Sequence, residues 1–258
     1  MVNVTYKTLL CNFSSHVCTI TLNQVEQKNV INRLFLEELH SVLDAAEQAP
    51  SCRVIVLEGK SGVFCTGMDL VEAVEQRSVN AFLSKEYMAI LKRFATISRV
   101  VIAKVDGEVM AGGVGLVAAA DLVVGTSNAS FSLSEALWGL LPACVLPYLI
   151  RRVGFQSAYK MTLTTLKLNA EQAKQINLID EFVDYATSVD NVLRQMILRL
   201  VRLESSTISN IKQYFSKMWI LTEEIEHTAV SEALRLAATP TVENNIRRYI
   251  EHQEFPWE

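Results

Sequence analysis

The sequence predicts an α/β domain that gives way to an all-helical C-terminal region. Two observations carry this reading. Through residues 1–185, short apolar runs of strand character alternate with segments whose apolar residues recur at helical spacing, and residues 186–258 show helical spacing alone. Half of the 258 residues are hydrophobic, enough to bury one large core.

The chain opens on a predicted β-hairpin. Tyr6–Phe13 and Val17–Leu22 are rich in β-branched and aromatic residues, with Ser14, Ser15 and His16 between them. A polar turn spans 24–29. Phe35, Leu39, Val42, Leu43 and Ala46 then fall at helical spacing, and Pro50 stops that helix. Val54–Leu57 is a continuous apolar run, as in a strand buried on both faces. A glycine-bearing turn over 62–70 opens the next helix, and a helical stretch over 81–98 leads to a second buried strand, Val100–Val105. Asp106-Gly107 closes that strand, and a glycine cluster from Gly112 runs into Leu116–Ala120. Leu122–Gly125 and Ser130–Leu133 read as short strands. Residues 147–152, 155–162 and 170–176 read as short helices. Val189, Val192, Met196, Leu200 and Leu203 have helical spacing, as do Ile225, Ala229, Ala233 and Leu236 before Thr239-Pro240.

Composition removes several function classes. The formal net charge is −4 and the longest basic run is Arg151-Arg152, so neither a nucleic-acid footprint nor a membrane-surface patch is expected. Five cysteines without C-x-x-C spacing and four scattered histidines predict neither a disulfide framework nor a metal site. The start Met-Val-Asn-Val-Thr-Tyr-Lys lacks signal-peptide character, and the longest apolar run, 109–120, is shorter than the ~20 residues that span a bilayer. The expectation is a cytoplasmic protein without a cofactor.

Four constellations compete for the chemistry. Gly113-Val114-Gly115-Leu116-Val117-Ala118 satisfies the dinucleotide pattern G-x-G-x-x-A, with Glu135 about twenty residues on. That fold needs a strand ending at the first glycine, whereas here Asp106–Ala111 intervene after Val105. The two glycine turns taken together are a second possibility. Unpaired N–H groups at two helix starts, meeting at one oxygen, form an oxyanion hole, while the alternative is that the glycines serve turns and packing alone. Glu135, flanked by Leu133, Ala136, Leu137 and Trp138, is either a desolvated acid/base or a helix-start acid facing the dipole. Lys85 and His227 lie on separate predicted helices, either as a functional pair or as solvated faces. No G-x-S-x-G supports a serine triad.

Three segments resemble one family. Phe64-Cys65-Thr66-Gly67-Met68-Asp69-Leu70 is similar to the crotonase (enoyl-CoA hydratase/isomerase) turn F-x-x-G-x-D-[LI]. Asp106-Gly107 through Ala111-Gly112-Gly113-Val114-Gly115-Leu116 resembles its second motif, and Phe131, Glu135, Gly139 and Pro142 its third, with Ser134 where the family has proline. The resemblance implies a spiral of ββα units with a helical trimerisation region, a homotrimer or hexamer, and acyl thioesters of acyl carrier protein or CoA as substrates. It implies oxyanion donors at the N–H groups of Met68 and Gly112, an acid/base at Glu135, and substrate contacts at Asp69, Leu70 and Gly113. The second glutamate of the family's hydratases falls on Gly115, so one carboxylate remains for proton transfer.

Further stretches, Ser130–Glu135, Leu141–Pro147, Leu149–Arg152 and Phe255-Pro256-Trp257-Glu258, resemble the crotonase homologues of polyketide β-branching cassettes. This implies a dehydratase that converts 3-hydroxy-3-methylglutaryl-acyl carrier protein to its 3-methylglutaconyl form. A sister decarboxylase uses a lysine and a histidine, which keeps Lys85 and His227 in view. Lys85, Arg93 and His227 are also the candidate partners for the distal carboxylate of such a substrate.

Overall fold

The computed structural model describes residues 5–75, 77–184, 186–219 and 221–257. The start Met1–Val4, the boundary residue Tyr185 and the terminal Glu258, each used in the sequence reading, lie outside them.

A hairpin of β1 (Leu9–Ser14) and β2 (Val17–Leu22) leads to α1 (Arg33–Gln48). The Asn32 side chain caps α1 by accepting from the Phe35 N–H at 2.9 Å. Three strand–strand–helix turns follow. The first is β3 (Val54–Glu58), β4 (Val63–Cys65), then α2 (Leu70–Glu75) and α3 (Arg77–Thr96). The second is β5 (Val100–Val105), β6 (Glu108–Met110) and α4 (Gly112–Ala119). The third is β7 (Leu122–Thr126), β8 (Ser130–Ser132), a one-turn 3-10 helix over Glu135–Trp138, α5 (Leu146–Val153) and α6 (Phe155–Thr164). Then come β9 (Leu168–Asn169), α7 (Ala170–Gln175) and β10 (Glu181–Val183). The rest is helical: α8 (Ala186–Leu200), α9 (Ser205–Ser216), α10 (Glu223–Ala237) and α11 (Pro240–His252).

In each turn the first strand joins one sheet and the second joins another. The larger sheet runs β1-β2-β3-β5-β7-β10 and the smaller β4-β6-β8-β9. From β2 to β10 the large sheet is parallel, and β4, β6 and β8 are parallel to one another. Alternation explains the apolar runs read in β3 and β5. Val54, Val56, Val100 and Ile102 face Val189, Leu193 and Ile208 of α8 and α9, while Ile55, Leu57, Val101 and Ala103 face the main core. Both faces are covered, so neither carries polar residues. Helix α4 is buried on every side, which is why its sequence has no polar face.

The C-terminal α11 returns to the third turn. Its Val242 and Ile246 pack on Trp138, and the rings of Tyr249, Phe255 and Trp257 meet that indole edge-on at 5.3, 6.1 and 5.6 Å. The chain end thus clamps the one-turn helix that begins at Glu135.

Candidate active site

The smaller sheet builds the site. Strands β4, β6 and β8 lie side by side, and each passes to a helix through a short turn just beyond its C-terminal end. β4 runs into Gly67-Met68, β6 into Ala111-Gly112, and β8 into Ser134-Glu135. Three motifs far apart in sequence therefore arrive at one sheet edge, where parallel sheets collect ligands.

The first two turns touch. Gly67 has a φ of +94°, and a Cβ there would lie 2.7 Å from the Ala111 Cβ and 3.1 Å from the Gly112 nitrogen. Only glycine combines that conformation with that approach. Ala111 holds φ 48° and ψ −120°, a region that costs a non-glycine residue on the order of 1–3 kcal/mol. Its N–H donates to the Ser132 carbonyl at 3.0 Å and its carbonyl accepts from Val114 at 2.9 Å, which pins the peptide carrying the Gly112 N–H. Among the described residues, neither the Met68 nor the Gly112 N–H has an acceptor, and both residues line a cavity of about 530 Å³.

Glu135 lines the same cavity. Although the residue as a whole is only half-buried, its Oε2 is closed off from solvent and has no hydrogen-bond partner among the described residues. Desolvation pushes its carboxyl up from the ordinary 4.5 to about 7, against a smaller opposing effect from a backbone hydrogen bond. The neighbours differ in part from those read in sequence. Leu137 is 40% exposed and Ala136 is exposed too, whereas Trp138 lines the cavity as read, joined on the apolar wall by Met68, Leu140, Cys144 and Val145.

A base titrating near 7 gives an acid limb. We expect kcat/KM to fall about tenfold per pH unit below 7 and to level off above it. Stability moves the opposite way. Below about 4.5 the carboxyl is neutral in both folded and unfolded chains; between 4.5 and 7 only the unfolded chain ionises, and stability is lost as pH rises. Glu135→Gln should therefore stabilise the fold by roughly 2–3 kcal/mol at pH 8 and hardly at all at pH 4. Denaturant titrations at the two pH values measure this, and equal gains would contradict a desolvated carboxylate.

Position 115 has no space for a second carboxylate. A Cβ on Gly115 would sit 1.9 Å from the Tyr87 hydroxyl oxygen and 3.0 Å from Val145 Cγ2. Tyr87, from α3, is wholly buried, and its hydroxyl donates to the Gly112 carbonyl at 2.5 Å.

The other residues singled out in the sequence divide. Leu70 lines the cavity. Asp69 does not: its Oδ1 accepts from the N–H groups of Val71 and Glu72 at 2.9 and 3.2 Å, so it caps α2. Gly113 also lies off the cavity wall, packed so closely on β4 that a Cβ would come within 2.4 Å of the Cys65 carbonyl oxygen. Gly113 and Gly115 are thus buried inside α4 and form no phosphate loop, which removes the dinucleotide reading. Lys85 and His227 are exposed on α3 and α10 and line no part of the cavity, because their helices turn other faces toward it. Arg93 is held by Asp44 and, at 2.7 Å, by Glu47. The cation on the cavity wall, among the described residues, is Arg247 of α11, which the sequence reading missed. Its i, i+4 spacing from Glu243 is that of an ordinary surface pair. A larger cavity of about 1100 Å³ between α5, α9 and α10 contains neither Glu135 nor the two turns.

The sequence profile of the enoyl-CoA hydratase/isomerase family matches residues 12–258. The chain belongs to this family. Bacillaene synthase dehydratase PksH of Bacillus subtilis (strain 168) is 39% identical over 258 residues, which cover 99% of this chain and 98% of that protein. The 2,3-dehydroadipyl-CoA hydratase of Escherichia coli K12 is 30% identical over 80% of each chain. Among solved structures, a Bacillus subtilis polyketide biosynthesis enoyl-CoA hydratase (PksH) superposes with a TM-score of 0.88 at 37% identity, covering 98% of this chain and all of that one. The two-sheet spiral described above is the crotonase fold, as the resemblance implied.

Proposed function

We propose that this crotonase is a dehydratase that removes water from a 3-hydroxy-3-methylglutaryl thioester on acyl carrier protein, giving the 3-methylglutaconyl thioester during polyketide β-branching. The observation that carries the reaction type is Glu135, its carboxyl raised to about 7, lining one cavity with two N–H groups that have no acceptor among the described residues, while position 115 is closed to a second carboxylate. The bacillaene synthase dehydratase relative supports the pathway.

In this mechanism the substrate carbonyl oxygen sits between the N–H groups of Met68 and Gly112. The Glu135 carboxylate takes the proton from C2, and the electron pair passes to the carbonyl oxygen as an enolate. The two N–H groups hold that charge beside the apolar wall of Met68, Trp138, Leu140 and Val145, where such donors are worth more than in water. The enolate then re-forms the carbonyl and expels the C3 hydroxyl, which takes the proton back from Glu135 and leaves as water. Glu135 ends as it began. One group serving both ends requires hydrogen and hydroxyl to leave from the same face.

Arg247 is the group we assign to the distal carboxylate. Arg247→Ala should raise KM for the acid-terminated substrate about tenfold, the loss of one charged hydrogen bond, and change it little for an analogue ending in a methyl group. Equal changes for both would remove Arg247 from substrate selection.

Exposed apolar side chains on α6 and α9, among them Phe155 (65% exposed), Leu163 (66%), Tyr214 and Phe215, support self-association, for which the resemblance implies a homotrimer or hexamer.

The function is tested by intact-mass analysis of the carrier protein after incubation with each thioester. Loss of water from the 3-hydroxy-3-methylglutaryl form supports the proposal. Loss of carbon dioxide from the 3-methylglutaconyl form would assign the decarboxylase, and no turnover of carrier or CoA thioesters would indicate a catalytically silent binding protein.

A further inference from the structure

We propose that Tyr87 is a positioning residue for enolate formation: its ring fills the space over Gly115 and its hydroxyl anchors the Gly112 carbonyl, which fixes the first turn of α4 beside Met68. The proposal rests on the reading of Gly112 as an oxyanion donor.

Three observations support it. First, the Gly112 N–H follows a strained residue. Ala111 at φ 48° persists only while its surroundings over-determine it. The Ser132 carbonyl holds the Ala111 N–H, and the Tyr87 hydroxyl holds the Gly112 carbonyl, so the strained peptide is tied on both sides. Second, the fit of residues 87 and 115 is exclusive. With a Cβ on residue 115 only 1.9 Å from the hydroxyl oxygen, any side chain there displaces the phenol from its acceptor. The same glycine that removes a second carboxylate therefore admits the tyrosine. Third, the hydroxyl stays a donor throughout the working range. Burial, together with the nearby Cys144, Cys65 and Glu135, disfavours its ionised form. It orients a peptide and moves no proton.

The direct test uses Tyr87→Phe, which deletes one hydroxyl from a buried ring. We expect kcat to fall about ten- to a hundredfold, the scale of a small misplacement at a reacting centre, with KM within about twofold. The distinguishing readout is the infrared carbonyl stretch of bound butyryl-CoA labelled with carbon-13 at its carbonyl. In the wild-type protein it should shift to lower frequency, and in Tyr87→Phe the shift should shrink. Gly115→Ala should lose at least as much activity as Tyr87→Phe, and adding Tyr87→Phe to Gly115→Ala should recover activity, because the 1.9 Å clash with the hydroxyl oxygen is gone and only the 3.0 Å contact with Val145 Cγ2 and the 3.1 Å contact with the ring remain. A wild-type carbonyl shift and kcat in Tyr87→Phe would overturn the role of Tyr87. Absence of a shift in the wild-type protein would overturn the oxyanion reading of Gly112, and the proposal with it.

Discussion

Glu135→Gln should lower kcat for dehydration by roughly two to four orders of magnitude, the usual contribution of a general acid–base. The expected loss is at the upper end if Glu135 works alone; a second carboxylate, Glu243 of α11, lines the same cavity, and Glu243→Gln should leave kcat within about twofold. The amide keeps the shape of the carboxyl and removes both its charge and its proton affinity, so thioester binding should survive. A single-turnover assay with pre-bound substrate separates the two effects. An unchanged single-turnover rate would take Glu135 out of the mechanism.

The second large effect is at Gly112. Proline there deletes the N–H at the first helical position of α4, where no helix hydrogen bond is lost, and it also restricts the strained Ala111 before it. Gly112→Ala keeps the N–H and adds a Cβ that would meet the terminal Cδ1 of the buried Ile31 side chain at 3.0 Å. We expect kcat/KM of the proline variant to fall about two to three orders of magnitude below that of the alanine variant, the cost of one oxyanion donor. Circular dichroism on both variants establishes that the fold is intact. Equal activities would mean that the carbonyl is held elsewhere.

Much of this site was legible because its parts are local. Met68, Gly112 and Glu135 each follow a strand end within three residues, and each local turn is written in neighbouring residues. The central strands were legible because both of their faces are buried, leaving Val54–Leu57 and Val100–Val105 without polar interruption. By contrast, β6, β9 and β10 are three residues long or shorter, too brief for any period to show. Thr239-Pro240, which closes the pattern of α10, also starts α11, because proline suits a first helical turn.

The parts of the site that folding brings from a distance were not legible. Tyr87 sits at core spacing with Leu83, Leu91 and Phe94, and nothing local distinguishes its hydroxyl from that of any buried tyrosine. Its role depends on a glycine 28 positions away (115 − 87). Arg247 reads as a surface residue until α11 is seen to close the cavity. Lys85 and His227 show the converse. Both are chemically suited to a site, and their helices place them in solvent.

The claim that one carboxylate serves both ends of the elimination is tested most directly by its stereochemistry. The substrate is 3-hydroxy-3-methylglutaryl-acyl carrier protein of known C3 configuration, deuterated stereospecifically at C2. Retention or loss of deuterium, read with the double-bond geometry of the product, identifies the face from which each group departs. Syn loss, with the C2 hydrogen on the hydroxyl's face removed, is the expected result. Anti loss would require a second group on the opposite face and would contradict Glu135 acting alone.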